Sequence, residues 1–236
     1  MSDRRTTWAN VRSWSAAASE KRRGRGAAVF ALLAAVMAAL ALFTVPAAAV
    51  ERPLTDPETV GELNRIEHYL NGIKSMQSRF IQINPDGSAW NGTLSVRRPG
   101  KFRFEYDPPI PYLLIANGSW FFHVDRALQE TNVIPLVKTP AQFLVQENIS
   151  LKKDFKITKF EEQPGLLQVA MVTRDNPDLG EVTLTFSDKP LELRKWSIRD
   201  IQDNLTQVTL QNTRYGVNLN ADLFKFVEQP GYKSAE

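Results

Sequence analysis

The 236-residue chain contains no cysteine. Disulfide staples are therefore excluded, and the core must hold together by burial alone. The same absence excludes an acyl anchor on an N-terminal cysteine. Histidine is almost absent as well, with His68 and His123 the two imidazoles of the sequence. No G-x-S-x-G elbow accompanies them, and no His/Asp/Glu cluster has metal-ligand spacing. Hydrolase and metalloenzyme chemistry thus lack a visible site, and nothing calls for a cofactor. His68 falls on the polar side of an expected helix, and His123 at the end of an expected strand beside a turn. Both positions suit solvated or structural imidazoles better than bases.

A genuine excess of positive charge is also missing once the leader is set apart. Lys21 to Gly26 read KRRGRG, Ala27 to Val45 carry no charge, and Ala47-Ala48-Ala49 supply small residues where a signal peptidase cuts. Residues 1–49 are expected to form a secretory signal peptide cleaved after Ala49. The alternative is a retained membrane anchor, against which the Ala-rich, weakly hydrophobic run argues. The expected mature chain, residues 50–236, has a length that suits one domain. The leader holds seven of the 29 Lys and Arg and two of the 26 Asp and Glu, leaving 22 basic against 24 acidic side chains. The pI near 9.1 belongs to the leader and gives no reason to expect a nucleic-acid partner.

The mature segment opens on Thr55-Asp56-Pro57-Glu58, which has the capping side chains, proline and early acid of a helix start. Val60, Leu63, Ile66, Leu70 and Ile73 then recur at spacings of three and four, so one stripe is expected to lie on an apolar surface. After Ser75 the period becomes two. Strands are expected at 79–84, 90–98, 102–106, 112–116, 119–123, 128–133, 155–162, 166–174, 181–187, 193–201, 205–215 and 223–227. Pro85-Asp86-Gly87-Ser88 and Asn117-Gly118 supply hairpin turns. Strands so closely spaced imply a mainly β fold, an antiparallel meander curled into a sandwich or barrel. Thr139-Pro140 followed by Phe143, Leu144 and Val145 reads as a short inserted helix, which is either a cover for the barrel end or an ordinary connection.

In the segment Trp90 to Arg98, period two places Trp90, Leu94, Val96 and Arg98 on one face. Arg98 then points to the apolar side, and Pro99 ends ladder pairing beside it. A guanidinium there either finds carbonyl or carboxylate partners on a covering helix or reaches past the rim to water. Phe102, Phe104 and Tyr106 continue the apolar face. Trp120, Phe122, Val182, Leu184, Phe186, Trp196 and Ile198 are expected to extend it, either filling a small barrel or lining the cavity of an open one.

Arg98-Pro99-x-x-Phe102 after a strand, Asn117-Gly118 before Trp120-Phe121-Phe122, the Thr139-Pro140 helix and the closing Leu223-Phe224-Lys225-Phe226 come in an order that resembles the LolA family of periplasmic outer-membrane lipoprotein carriers. The resemblance runs from about Leu63 to Gly231. It implies an incomplete antiparallel β-barrel of about eleven strands under a helical lid, acting as a monomeric chaperone without enzymatic activity. It also implies that acyl chains of lipoproteins lie between barrel and lid, with Trp90, Leu94, Val96, Phe102, Phe104, Tyr106, Trp120, Phe122, Phe143, Leu144 and Trp196 around them. Arg98 matches the family arginine that pins the lid, and Phe102 matches an apolar position used in taking or releasing cargo. The implied partners are an ATP-driven release complex in the inner membrane and a receptor or acceptor membrane at the outer one. The same half-barrel could instead serve an envelope sensor of lipids or lipoproteins, or a glycolipid carrier.

Overall fold

Strands that alternate apolar and polar residues can bury one face, and in this computed structural model they do so by pairing into one curled sheet around a single large core. The structure describes residues 49–227 and 233–234, so the expected signal peptide lies outside the described residues except for Ala49. The strands are β1 (Val50–Glu51), β2 (Ser75–Ile83), β3 (Ala89–Arg97), β4 (Lys101–Tyr106), β5 (Tyr112–Asn117), β6 (Trp120–Asp125), β7 (Glu130–Pro135), β8 (Phe155–Gln163), β9 (Leu166–Thr173), β10 (Glu181–Ser187), β11 (Glu192–Arg199), β12 (Leu205–Tyr215) and β13 (Lys233–Ser234). Their order across the sheet is β1-β8-β9-β10-β11-β12-β2-β3-β4-β5-β6-β7-β13, antiparallel throughout except for β13 on β7. The ends of that order do not pair, so the barrel is incomplete. Two meanders, β2–β7 and β8–β12, meet where β12 pairs with β2 and Leu210 stands opposite Phe80.

Helix α1 (Pro57–Gly72) fills the concave side. Asp56 caps it by accepting from the Glu58 N–H at 3.2 Å, Pro57 opens it, and Leu63, Ile66 and Leu70 are buried. The chain from Leu136 to Asp154 connects β7 near one margin of the sheet to β8 near the other. It crosses the open side as two 3₁₀ turns, Leu136–Lys138 and Pro140–Leu144, and a four-residue helix α2 (Leu151–Asp154). This crossing segment is the lid.

Three local expectations change. The Thr139 hydroxyl does not cap the next turn; it donates back to the Leu136 carbonyl at 2.8 Å, and the turn that follows is 3₁₀ rather than α. Strand β2 begins at Ser75, because all nine of its residues find partners along β3. The strand expected at 223–227 is absent: Asn220 accepts from the Asp222 N–H at 2.9 Å and starts a 3₁₀ turn, Ala221–Phe224, that drops Phe224 onto the outer face of the sheet.

Candidate functional site

Register decides which side chains share the concave wall. Val96 pairs with Phe102, Leu94 with Phe104 and Gly92 with Tyr106, so the even positions of β3 and β4 face α1 and the lid. Gly92 leaves room for the Phe80 ring, since a Cβ there would meet Phe80 Cζ at 2.6 Å. Phe80 in turn meets Phe104 and Tyr106 edge-on, each at 5.3 Å. The other meander contributes Val182, Leu184, Phe186, Trp196 and, less deeply, Ile198. Trp196 stands between Phe104, at 6.3 Å, and the lid residue Phe143, at 6.0 Å. Leu144 is buried beside them, and half-buried Trp90 closes one end against Tyr106 at 5.6 Å.

Trp120 and Phe122 do not join this wall. Phe122 pairs with Ile115 and Val133, and Trp120 with Pro135, on the outer face. Phe122 stacks on Phe226 of the C-terminal segment at 4.6 Å, whereas Trp120 stays 47 % exposed. Their neighbour Phe121 turns inward instead and lies 5.9 Å from Phe102. Three consecutive aromatics give no parity by themselves, and the C-terminal segment supplies an apolar surface on the outside as well. Phe80, Tyr112 and Phe121 are among the wall residues that sequence reasoning missed. For Phe80 the signal was present in the even spacing of Met76, Ser78 and Phe80. His123 also differs from expectation: it sits within β6, faces inward and lies 5.2 Å from the Tyr112 ring. The strand continues to Asp125, whose carboxylate accepts from the Ala127 and Leu128 N–H groups and makes the turn there. Burial pushes the His123 pKa below its usual 6.5, with Asp125 acting in the opposite direction. His68 is exposed on α1.

Arg98 follows the last residue of β3, and its N–H donates to the Lys74 carbonyl at 2.8 Å. Its guanidinium joins two helix ends. Nε donates to Leu144 O at 2.9 Å, and Nη1 donates to Leu70 O in the last turn of α1. Leu70 O also accepts from the Ile73 N–H at 3.3 Å, and carbonyls at the end of a helical turn carry partial negative charge, so a cation is well placed there. Desolvation pushes the Arg98 pKa down from its ordinary value to about 10, which leaves it charged at neutral pH. The adjacent Arg97 faces outward and reaches Leu219 O of the C-terminal segment at 3.4 Å.

Other polar ties hold the lid. Gly100 N–H donates to Val145 O at 2.8 Å. Asn71 exchanges two hydrogen bonds with Ile149, both 2.8 Å, and Glu67 accepts from the Leu151 N–H at 2.7 Å. Helix α1 is itself fixed on its far side. Arg65 pairs with Asp188 at 2.6 Å, and the Tyr69 hydroxyl meets Leu193 N–H at 3.0 Å and the Tyr215 hydroxyl at 2.8 Å. Phe143, Leu144 and Val145 of the lid pack with the wall in one core. One pocket, about 170 Å³, opens at the lid flank between Gln142, Phe143 and Gln146 on one side and Phe155 and Asn176 on the other. A second, about 550 Å³, lies on the outer face between Arg103, Glu105, Arg126 and the loop Pro108–Pro111. Among the described residues no cluster of acids and imidazoles has the arrangement of a metal site.

Residues 71–227 match the sequence pattern of the outer membrane lipoprotein carrier protein LolA. The chain belongs to the LolA family. An outer-membrane lipoprotein carrier protein of Pseudomonas aeruginosa is 26 % identical over 196 residues, covering 79 % of this chain and 93 % of the relative. An uncharacterised Rickettsia prowazekii protein is 24 % identical over 165 residues, covering 70 % and 76 %. A LolA superfamily protein of known structure from Nitrosomonas europaea superposes with a TM-score of 0.42 at 8 % identity, covering 70 % of this chain and 97 % of that one. The open barrel and the segment that covers it are those of a LolA-family protein. No helix among the described residues is long and apolar enough to cross a membrane.

Proposed function

We propose that the protein is a periplasmic carrier that binds the acyl chains of lipoproteins between half-barrel and lid and moves them from the inner to the outer membrane. The observation that carries this reading is a continuous apolar wall, from Leu94 through Phe104 to Trp196, covered by a segment whose polar ties are few and concentrated at Arg98, Gly100, Asn71 and Glu67. Each methylene exposed to water costs about 0.8 kcal/mol, so a chain of about fifteen costs on the order of 12 kcal/mol. No such cargo crosses water unaided. Because Phe143 and Leu144 pack directly with the wall, acyl chains enter as the lid lifts and these two residues leave the wall to them. Apolar cargo then replaces apolar lid contacts, which keeps uptake reversible.

In this reading residues 1–49 are the signal peptide, residues 50–236 form a single monomeric carrier domain, and Arg98 is the latch. Trp90, Leu94, Val96, Phe102, Phe104, Tyr106, Phe143, Leu144 and Trp196 meet the chains. Binding and release break no covalent bond, so no catalytic group is involved. Cargo comes from an ATP-driven release complex and goes to an outer-membrane receptor or acceptor. Native mass spectrometry of the protein purified from its own periplasm tests the proposal, with co-purifying acylated protein as the expected result. Bound phospholipid or glycolipid alone, with no uptake of a synthetic lipopeptide, overturns it.

A further inference from the structure

The lid-flank pocket has a divided lining. Phe143 and Phe155 form its floor, each less than 5 % exposed and each part of the large core, and Phe143 backs directly onto Trp196. Its rim is polar. The carboxylates of Asp154 and Asp175 and the Thr173 hydroxyl line it together with the side-chain amides of Gln142 and Asn176, which among the described residues make no hydrogen bond, while Gln146 donates to Asp154 at 2.7 Å where the lid ends and β8 begins. About 170 Å³ equals the liquid volume of about six waters, which admits one or two amide groups and not an acyl chain. The pocket therefore changes from polar, with two unpaired amides among its groups, to aromatic within its own depth, at the margin of the segment that has to lift.

We propose that this pocket seats the amide-bearing junction of a lipopeptide, the point where acyl chains meet polypeptide. The free amides of Gln142 and Asn176 hydrogen-bond the peptide groups, and the chains pass Phe143 into the interior. This inference rests on the carrier reading and adds to it a reason for preferring acylated polypeptide over a bare lipid. Opposite flanks of the lid then have different tasks: Arg98 and Gly100 hold one, and the cargo junction occupies the other.

The test compares wild type with Gln142→Ala/Asn176→Ala and with the single variant Asn176→Ala, whose site is exposed and outside the core. Two probes are titrated against Trp fluorescence, a synthetic lipopeptide with a diacylglyceryl-cysteine head and free palmitate. The double variant is expected to bind the lipopeptide about tenfold more weakly, the loss of two hydrogen bonds between neutral groups, with palmitate binding unchanged. The single variant should show a smaller loss of the same kind. Equal weakening for both probes, or no change for either, overturns the pocket assignment while leaving the carrier reading intact. Failure of the wild-type protein to bind either probe overturns the carrier reading, and the pocket assignment with it.

Discussion

Replacing Arg98 by Leu tests how the lid is held. Two hydrogen bonds from a charged donor contribute about 1.5–3 kcal/mol each, or about 3–6 kcal/mol together. That range is already net of desolvation, and the burial that pushes the Arg98 pKa down to about 10 puts this pair at its low end. The net hold of Arg98 on the closed lid is then about 3 kcal/mol, so closure is favourable but not locked. In the R98L variant the lid should open more often by up to about a hundredfold, whereas the sheet keeps its stability. Native-state amide hydrogen exchange reads this at Gly100, whose N–H donates to Val145 O across the lid contact, with core amides of β3 and β10 as controls. Faster exchange at Gly100 alone is expected. Unchanged exchange at Gly100, or equal acceleration throughout the core, would refute the reasoning.

Phe102→Ala removes a fully buried ring that touches Phe104 and Phe121, and should cost about 3–5 kcal/mol in denaturant unfolding, whereas Trp120→Ala on the outer face should stay within about 0.5 kcal/mol. Gly100→Ala should lower the melting temperature, because Gly100 has φ +77° and an added Cβ would stand 2.7 Å from Gly118 Cα. His123 binds a proton less readily in the folded than in the unfolded chain. Its contribution is therefore complete above pH 6.5 and is lost as pH falls through 6.5 toward the lower folded value, so His123→Gln should flatten that part of a curve of urea midpoint against pH.

Much of this arrangement was legible in the sequence because period two is a strong signal wherever one face of a strand is buried. The even positions from Leu94 to Tyr106 fell on the wall as expected, and Arg98 was the right member of its arginine pair to face the lid. Legibility failed where both faces are covered. Around Trp120, Phe121 and Phe122 an apolar residue fits on either side, because Phe224 and Phe226 lie on the outside; the segment that disambiguates them is about a hundred residues away in the chain. The same distance hid the fate of 223–227, where alternation suggested a strand but a local Asn220 cap and the outer apolar patch favoured a 3₁₀ turn. Gln142 and Asn176 carried no sequence signal at all. Solitary amides acquire meaning only when folding places them beside an aromatic floor.

The lid is also the bridge between the two meanders. Its ends are fixed in β7 and β8, strands at opposite margins of the sheet, each inside just one two-residue strand. Lifting its middle therefore pulls on both rims at once, as a bowstring bends a bow. Sheet curvature and lid height become a single mechanical coordinate, so bulkier contents should announce themselves at β1 and β13, far from anything they touch.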